Sequence, residues 1–436
     1  MTRKLYYRIT MKESERKQII DLINREVIPA IGCTEPIAVA LAVAKASETL
    51  GRCPEKITVY LSANILKNAM GVGIPGTGMI GLPIAVALGA LIGKSEYKLE
   101  VLKDSTPEAV EQGKKMIAGR IIDIQLKENI EEKLYIEAIC EAEGDRAVAI
   151  ISGGHTNFIY VAHGEDILLN KQQAGAVDAE EECLELNLRK VYDFAMTAPL
   201  NEIRFILKSA ELNRNAAEKS FEGNYGHALG KTMKGSYEHQ VMGDCVFSHI
   251  LSYTSAACDA RMAGAMIPVM SNSGSGNQGI AATLPVVIYA EDTHKNEEEL
   301  IRALTLSHLT VIYIKQSLGR LSALCGCVVA ATGSSCGITY LMGGTYEQIS
   351  FAVKNMIANL TGMICDGAKP SCAMKLTSGV STAVMSAMMA MDNKCVTSVE
   401  GIVDEDVDKS IRNLTLIGSQ GMNETDKLVL KIMTSK

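Results

Sequence analysis

Leu321-Ser-Ala-Leu-Cys-Gly-Cys-Val-Val-Ala-Ala-Thr-Gly-Ser-Ser-Cys-Gly-Ile-Thr-Tyr-Leu-Met-Gly-Gly344 carries no charge and is crowded with Gly, Ser, Thr and Cys. Small residues of this kind let helices approach closely, whether in a membrane or in a soluble core. The flanking sequence is dense in charge, with Glu297, Glu298 and Glu299 in one run. The stretch is therefore read as a deeply buried central helix of a soluble protein. A second apolar run, 81–93, falls short of the roughly 20 residues that a spanning helix needs. From about residue 195 onward Ser, Ala, Gly and Met dominate. Helical runs at 300–316, 321–341, 346–363 and 380–391 are separated there by glycine-rich loops.

Upstream the period changes to two. Ile57, Val59 and Leu61 alternate, as do Ile122, Ile124 and Leu126, and then Leu134, Ile136, Ala138 and Cys140. Turns at Gly144-Asp145 and at Gly164 continue the pattern through 147–151, 158–162 and 167–169. The fold class is α+β: an N-terminal mixed region with an antiparallel sheet, and a predominantly helical C-terminal half with buried, small-residue-rich helices. Three units are expected. Residues 1–54 hold N-terminal helices packing on the helical half. The first carries Ile19, Ile20, Ile23 and Val27 and is stopped by Pro29; the second is capped by Thr34 and runs to about Leu50. Residues 55–195 form the sheet-containing domain, and 196–436 the helical catalytic domain.

The chain has 436 residues, 47% of them hydrophobic and 21% charged, enough for a large core. Its 43 basic and 50 acidic side chains leave a net charge of −7, which argues against a nucleic-acid or anionic-membrane surface. Twelve cysteines stand beside no tryptophan and six phenylalanines. With no secretory leader in Met-Thr-Arg-Lys-Leu-Tyr-Tyr-Arg, they point to a reducing, cytoplasmic setting. A homodimer is the base-rate expectation.

Two stretches spell Gly-x-Gly-x-x-Gly, at 71–76 and 274–279, but neither has the strand-then-helix context of a dinucleotide site, and Pro75 interrupts the first. No Gly-Lys-Ser/Thr ending is present. The polar run Ser271-Asn-Ser-Gly-Ser-Gly-Asn-Gln-Gly279, set between apolar helices, is read as an anion-binding loop at a helix start in preference to a surface linker. Pro75-Gly-Thr-Gly78 and Gly153-Gly-His-Thr-Asn157 have the same character at strand ends. Cys53, Cys140, Cys183, Cys245, Cys258 and Cys395 sit in ordinary contexts and are read as packing. Cys325-Gly-Cys327 and the loop Cys365-Asp-Gly-Ala-Lys-Pro-Ser-Cys372 are different: a cysteine pair with a Gly/Pro break and one cation, plus a thiol from another helix, is how metal sites are often assembled. Six intervening residues match neither a zinc-ribbon nor a ferredoxin spacing, so the residues alone leave a metal site open. Cys33 precedes a helix start, where the macrodipole favours a thiolate; a small buried residue in a tight turn is the other reading.

Gly32-Cys-Thr-Glu-Pro36, Pro75-Gly-Thr-Gly-Met79, Gly153-Gly-His-Thr-Asn157, Asp259-Ala-Arg-Met262, the 271–279 run, Leu321-Ser-Ala-Leu-Cys325 and Met363-Ile-Cys-Asp-Gly-Ala368 together resemble the L-cysteine desulfidase family. That family is related to the α part of iron–sulfur L-serine dehydratases, and the resemblance spans about residues 14–434. It implies an oxygen-sensitive [4Fe–4S] cluster and a carbon–sulfur lyase, independent of pyridoxal phosphate, that turns L-cysteine into pyruvate, ammonia and hydrogen sulfide. It implies Cys325, Cys365 and Cys372 as cluster ligands, with Cys327 the competitor for the first. Three thiolates leave one iron open to act as a Lewis acid. The related dehydratases place a Ser-Ser-His-Thr string near a helix start; Cys33 and Thr34 are its counterpart here, which makes a Cys33 thiolate the candidate base with Thr34 assisting. Ser271, Asn272, Ser273 and Asn277 become candidates for the substrate carboxylate, with His155 and Asn157 as further polar groups. Two alternatives remain: dehydration of L-serine or elimination from another β-substituted amino acid, and an iron–sulfur redox or sensor protein.

Overall fold

A computed structural model describes residues 11–130, 132–171, 184–235, 240–319 and 321–435. Cys183 lies outside them. The chain opens with α1 (Glu13–Glu26), β1 (Pro29–Ile31) and α2 (Thr34–Leu50), followed by β2 (Lys56–Leu61), α3 (Ala63–Ala69), α4 (Leu82–Ile92) and α5 (Pro107–Ala118). Five strands come next: β3 (Ile122–Leu126), β4 (Tyr135–Ala142), β5 (Asp145–Ser152), β6 (Phe158–His163) and β7 (Asp166–Asn170). Then come α6 (Leu188–Thr197), α7 (Leu200–Ile203), α8 (Leu207–Glu222), α9 (Leu229–Met233), α10 (Val246–Met262), β8 (Pro268–Met270), α11 (Gly276–Asp292) and α12 (Glu297–Leu318). The chain ends with α13 (Gly326–Leu341), α14 (Tyr346–Leu360), α15 (Cys372–Met391), α16 (Val407–Leu416) and α17 (Asn423–Thr434).

The strands expected from alternation form one sheet in the order β3-β2-β4-β5-β6-β7. It is mixed, because β3 runs parallel to β2 while the other pairs are antiparallel. Register stacks Val59, Ala138 and Ala149 on one face, with Leu61, Ile136 and Ile151 beside them, all fully buried. That face packs on α2, whose Ala38, Val39, Ala40, Leu41, Ala42 and Val43 are buried all round. So the two N-terminal helices part company. The amphipathic α1 buries Ile19, Leu22 and Ile23 in the helical half. Helix α2, which has no polar face, lies instead between α4 and the sheet.

In the helical half α13 is the central rod, packed by α11, α12, α14 and α15. Gly333 allows this closeness: a Cβ there would stand 2.5 Å from the Ser307 carbonyl of α12. The buried hydroxyls within α13 are satisfied by carbonyls, Thr332 by Val328 at 2.9 Å and Ser335 by Ala383 of α15 at 3.0 Å. The Glu297–Glu299 run fills the first turn of α12, where Asn296 and Glu299 form a capping box. Among the described residues no helix is long and apolar enough to cross a membrane.

Candidate active site where four helices begin

A three-residue ribbon builds the first side of the site. β1 pairs antiparallel with β8, Ala30 opposite Val269, and so sets the start of α2 beside the 271–279 loop. The Thr34 hydroxyl, in the first turn of α2, donates to the Gly274 carbonyl at 2.9 Å and fastens the two. Cys33 is the N-cap of α2 and Ser275 the N-cap of α11; the Ser275 hydroxyl accepts the Gln278 N–H. The second side is an antiparallel bridge between two loops, Leu324 to Ile364. The Cys325 N–H meets the Met363 carbonyl at 2.9 Å and the Cys365 N–H the Ala323 carbonyl at 2.7 Å. This bridge puts Cys325, the N-cap of α13, against Cys365, while Cys372 opens α15 from the far end of the same loop. Lys375 holds that loop through Asp366 and through the Ile364 carbonyl at 2.7 Å. Beneath it the fully buried Lys67 pairs with Asp426 of α17 and reaches the Cys365 carbonyl.

Between the two sides is a cavity of about 100 Å³. Five cysteines line it: Cys33, Cys325, Cys327, Cys365 and Cys372. Three cations, Arg261, Lys315 and Lys375, share the wall with Glu35, Asn68, Ser275, Asn277 and Gln278. Four helices of 16 to 20 residues (α2, α11, α13 and α15) begin at this cavity. Each helix start carries a partial positive charge, so the space favours anionic groups.

The thiols differ in their surroundings. Cys33 donates to Glu35 Oε2 at 3.0 Å, and Glu35 Oε1 accepts from Asn68 at 3.2 Å. Burial first, and then the Glu35 charge, push the Cys33 thiol well above its ordinary range, against the lowering influence of Arg261. Cys325 is raised by its hydrogen bond with Cys327, Cys365 by its hydrogen bond with Cys325, and Cys372 by burial. Cys327 also contacts Met363 Sδ at 3.1 Å. Among the described residues every cysteine is free.

Among those residues no three His, Cys, Asp or Glu side chains converge as ligands of one metal ion would. A polynuclear cluster takes each thiolate on a different iron and needs donors distributed around a cavity. The donor chemistry of this wall, thiols backed by cations and helix starts, fits such a group.

Ser271, Asn272 and Ser273 do not line the cavity. They are buried in a network in which Ser271 donates to Ile28, Asn272 to His308, and Ser273 to Asn272. Asn277, from the second half of the same loop, does line it. His155 and Asn157 lie at the turn between β5 and β6, outside the cavity wall; the Asn157 amide donates to Ser152 at 2.9 Å. Of the other wall residues, Asn68, Lys315 and Lys375 were missed from the sequence, Glu35 and Arg261 stood within quoted strings without a role, and Ser275 and Gln278 belonged to the loop read as anion-binding. Arg261 carried a signal, since Asp259 and Arg261 are the only Asp, Glu, Lys or Arg in the otherwise uncharged α10. Asn68 and Lys315 had no local signal.

Five cysteines and three cations thus share a cavity at which four helices begin, in an α+β frame. By sequence the chain belongs to the serine dehydratase alpha chain family, whose pattern matches residues 96–431. It is 80% identical over 426 residues to a UPF0597 protein of Bacteroides fragilis, covering 98% of this chain and 100% of the relative. It is 58% identical over 433 residues to one of Porphyromonas gingivalis, and 46% identical over 427 to one of Oleidesulfovibrio alaskensis; each alignment covers 98% of this chain and 100% of the relative. The family supports a dehydratase-related, lyase-type function and is one associated with iron–sulfur clusters.

Proposed function

We propose that the chain catalyses cluster-dependent β-elimination of L-cysteine to pyruvate, ammonia and hydrogen sulfide. The observation that carries this reading is the backbone bridge that sets Cys325 against Cys365 in a cavity shared with Cys372 and the Cys33–Glu35 pair. Cys325, Cys365 and Cys372 would hold a [4Fe–4S] cluster; the bridge favours Cys325 over Cys327, which packs on Met363. When bound, the cluster supplies a Lewis-acidic iron that improves the β-substituent as a leaving group.

The chain's own part is proton handling and orientation. The Cys33 thiol rests protonated and points its hydrogen at Glu35 Oε2. Cys33 acts as the base once that proton has passed to Glu35 Oε2, the acceptor it faces at 3.0 Å, and Glu35 returns it to the departing sulfur. Cys33 Sγ then takes the α-proton, the Cα–Cβ double bond forms, and the β-carbon–sulfur bond breaks with its electron pair leaving on sulfur. The freed enamine tautomerises to an imine and hydrolyses to pyruvate and ammonia.

A second reading, dehydration of L-serine by the same steps, is favoured by the description of the matching family. Anaerobically reconstituted protein is expected to yield sulfide and pyruvate in equal amounts from L-cysteine, and Cys33→Ala to lose turnover while keeping its iron. Pyruvate from L-serine with no sulfide from L-cysteine would move the assignment to the second reading. Neither product, with a cluster spectrum that no amino acid perturbs, would leave a redox or sensor protein.

A further inference from the structure

Arg261 is 3% exposed, yet no described carboxylate pairs with it. Its Nη1 donates to Asn277 Oδ1 at 2.9 Å, and Nε has no partner. A buried guanidinium without a counter-anion is costly, and an anion arriving from outside would offset that cost. The loop is shaped to hold it: a Cβ at Gly276 would come within 2.2 Å of Arg261 Nε, so only glycine lets α11 begin against the guanidinium. Two buried amide oxygens on the same cavity wall also lack donors, Oε1 of Gln278, 4% exposed, and Oδ1 of Asn68, 8% exposed. Gln278 packs on Gly326, the residue after Cys325.

We infer that Arg261, Gln278 and Asn68 form the recognition subsite for the zwitterionic end of an α-amino acid, with the α-carboxylate on Arg261 and the α-ammonium on the two amide oxygens. A buried cation without a counter-anion and buried acceptors without donors on one cavity wall suit a ligand that brings both an anion and an ammonium: a 2-hydroxy acid lacks the ammonium, and a simple amine lacks the carboxylate. The subsite deepens the elimination reading and rests on it only for orientation, in that it turns the α-carbon toward Cys33 and the β-substituent toward Cys325, Cys365 and Cys372.

The test is binding of L-alanine, which keeps both charged groups and has no leaving group. Affinities for L-alanine, L-lactate and ethylamine are measured by calorimetry on metal-free and on reconstituted protein, with iron content read in parallel. Wild type is expected to prefer L-alanine to both. Arg261→Gln should weaken L-alanine by about tenfold or more, as loss of a charged hydrogen-bond partner does, with iron content unchanged. Gln278→Leu should erase the preference for L-alanine over L-lactate, which carries the test even where the arginine variant does not fold. Wild-type L-alanine affinity in Arg261→Gln, or loss of its iron with L-alanine binding intact, overturns the assignment. Failure of the elimination reading is distinguishable, since it would show as Arg261-dependent L-alanine binding in a reconstituted protein that makes no pyruvate.

Discussion

The loop 271–279 has two halves that look alike in composition and behave differently in the fold. In the first, Ser271 donates to Ile28 at 2.6 Å, Asn272 reaches both Nδ1 and the carbonyl of His308, and Ser273 donates to Asn272 at 2.8 Å. These side chains face protein and have their partners. In the second, Asn277 and Gln278 face the cavity with Arg261, and polar atoms of Gln278 and Arg261 stay unpaired although buried. A buried polar group with partners holds a fold, and one without them costs stability until a ligand completes it. The contrast separates a partnered half from a cavity-lining half within nine residues.

Truncation should expose that difference. Asn272→Ala leaves the His308 ring, the His308 carbonyl and the Ser273 hydroxyl short of a partner in the interior, at a cost of about 2–4 kcal/mol. Gln278→Leu keeps the bulk and removes an amide whose Oε1 has no partner, so its stability should fall by less than about 1 kcal/mol. Urea unfolding of the two variants checks this. Equal losses would mean that the second half of the loop is scaffold as well.

His308 extends the first half and gives it a pH signature. Its ring, fully buried, receives the Asn272 amide on Nδ1 at 3.0 Å and meets the Thr283 hydroxyl through Nε2 at 3.0 Å. Burial lowers its pKa from an ordinary 6.5 to about 3. As pH falls below 6.5 the unfolded chain takes up a proton that the folded chain refuses. The contribution of the neutral ring, complete above that pH, is therefore lost progressively down to about pH 3, at about 1.4 kcal/mol per pH unit. His308→Gln should flatten the stability–pH curve between 6.5 and about 4; an unchanged slope there would mean that the ring is not held neutral.

The two halves also mark how far sequence reaches. Strands β2 to β7 were legible because alternation with period two fixes which face is buried, whatever the tertiary context. That β3 joins parallel was not, since periodicity carries no direction. The β1–β8 ribbon was too short, at three residues a strand and with a proline in each, to leave a pattern. Within the site the cysteine positions were legible through the strings around them. What brings Cys325 to Cys365 is the Leu324–Ile364 bridge, a pairing of loops that no local pattern encodes. Composition marked 271–279 as polar, but which of its side chains find partners depends on Ile28, His308 and Arg261, all distant in sequence. Arg261 was the readable omission, a charge in a helix otherwise built to be buried.

Thr34 lies on the boundary between the halves and gives a comparably small effect. It was expected to assist the base, beside Cys33. Its hydroxyl instead donates to the Gly274 carbonyl at 2.9 Å and tethers the start of α2 to the middle of the loop, and its side chain is absent from the cavity wall. Thr34→Val keeps the shape and deletes that one bond, so a loss of about 1 kcal/mol is expected, with the Gly274 carbonyl left under-satisfied. Turnover should stay within about threefold of wild type, because a tether displaced by one hydrogen bond leaves Cys33 on the same N-cap. A loss of turnover beyond about tenfold at unchanged stability would put the Thr34 hydroxyl in the chemistry, with Gly274 as its resting partner only, and would shift the boundary between scaffold and site one residue into α2.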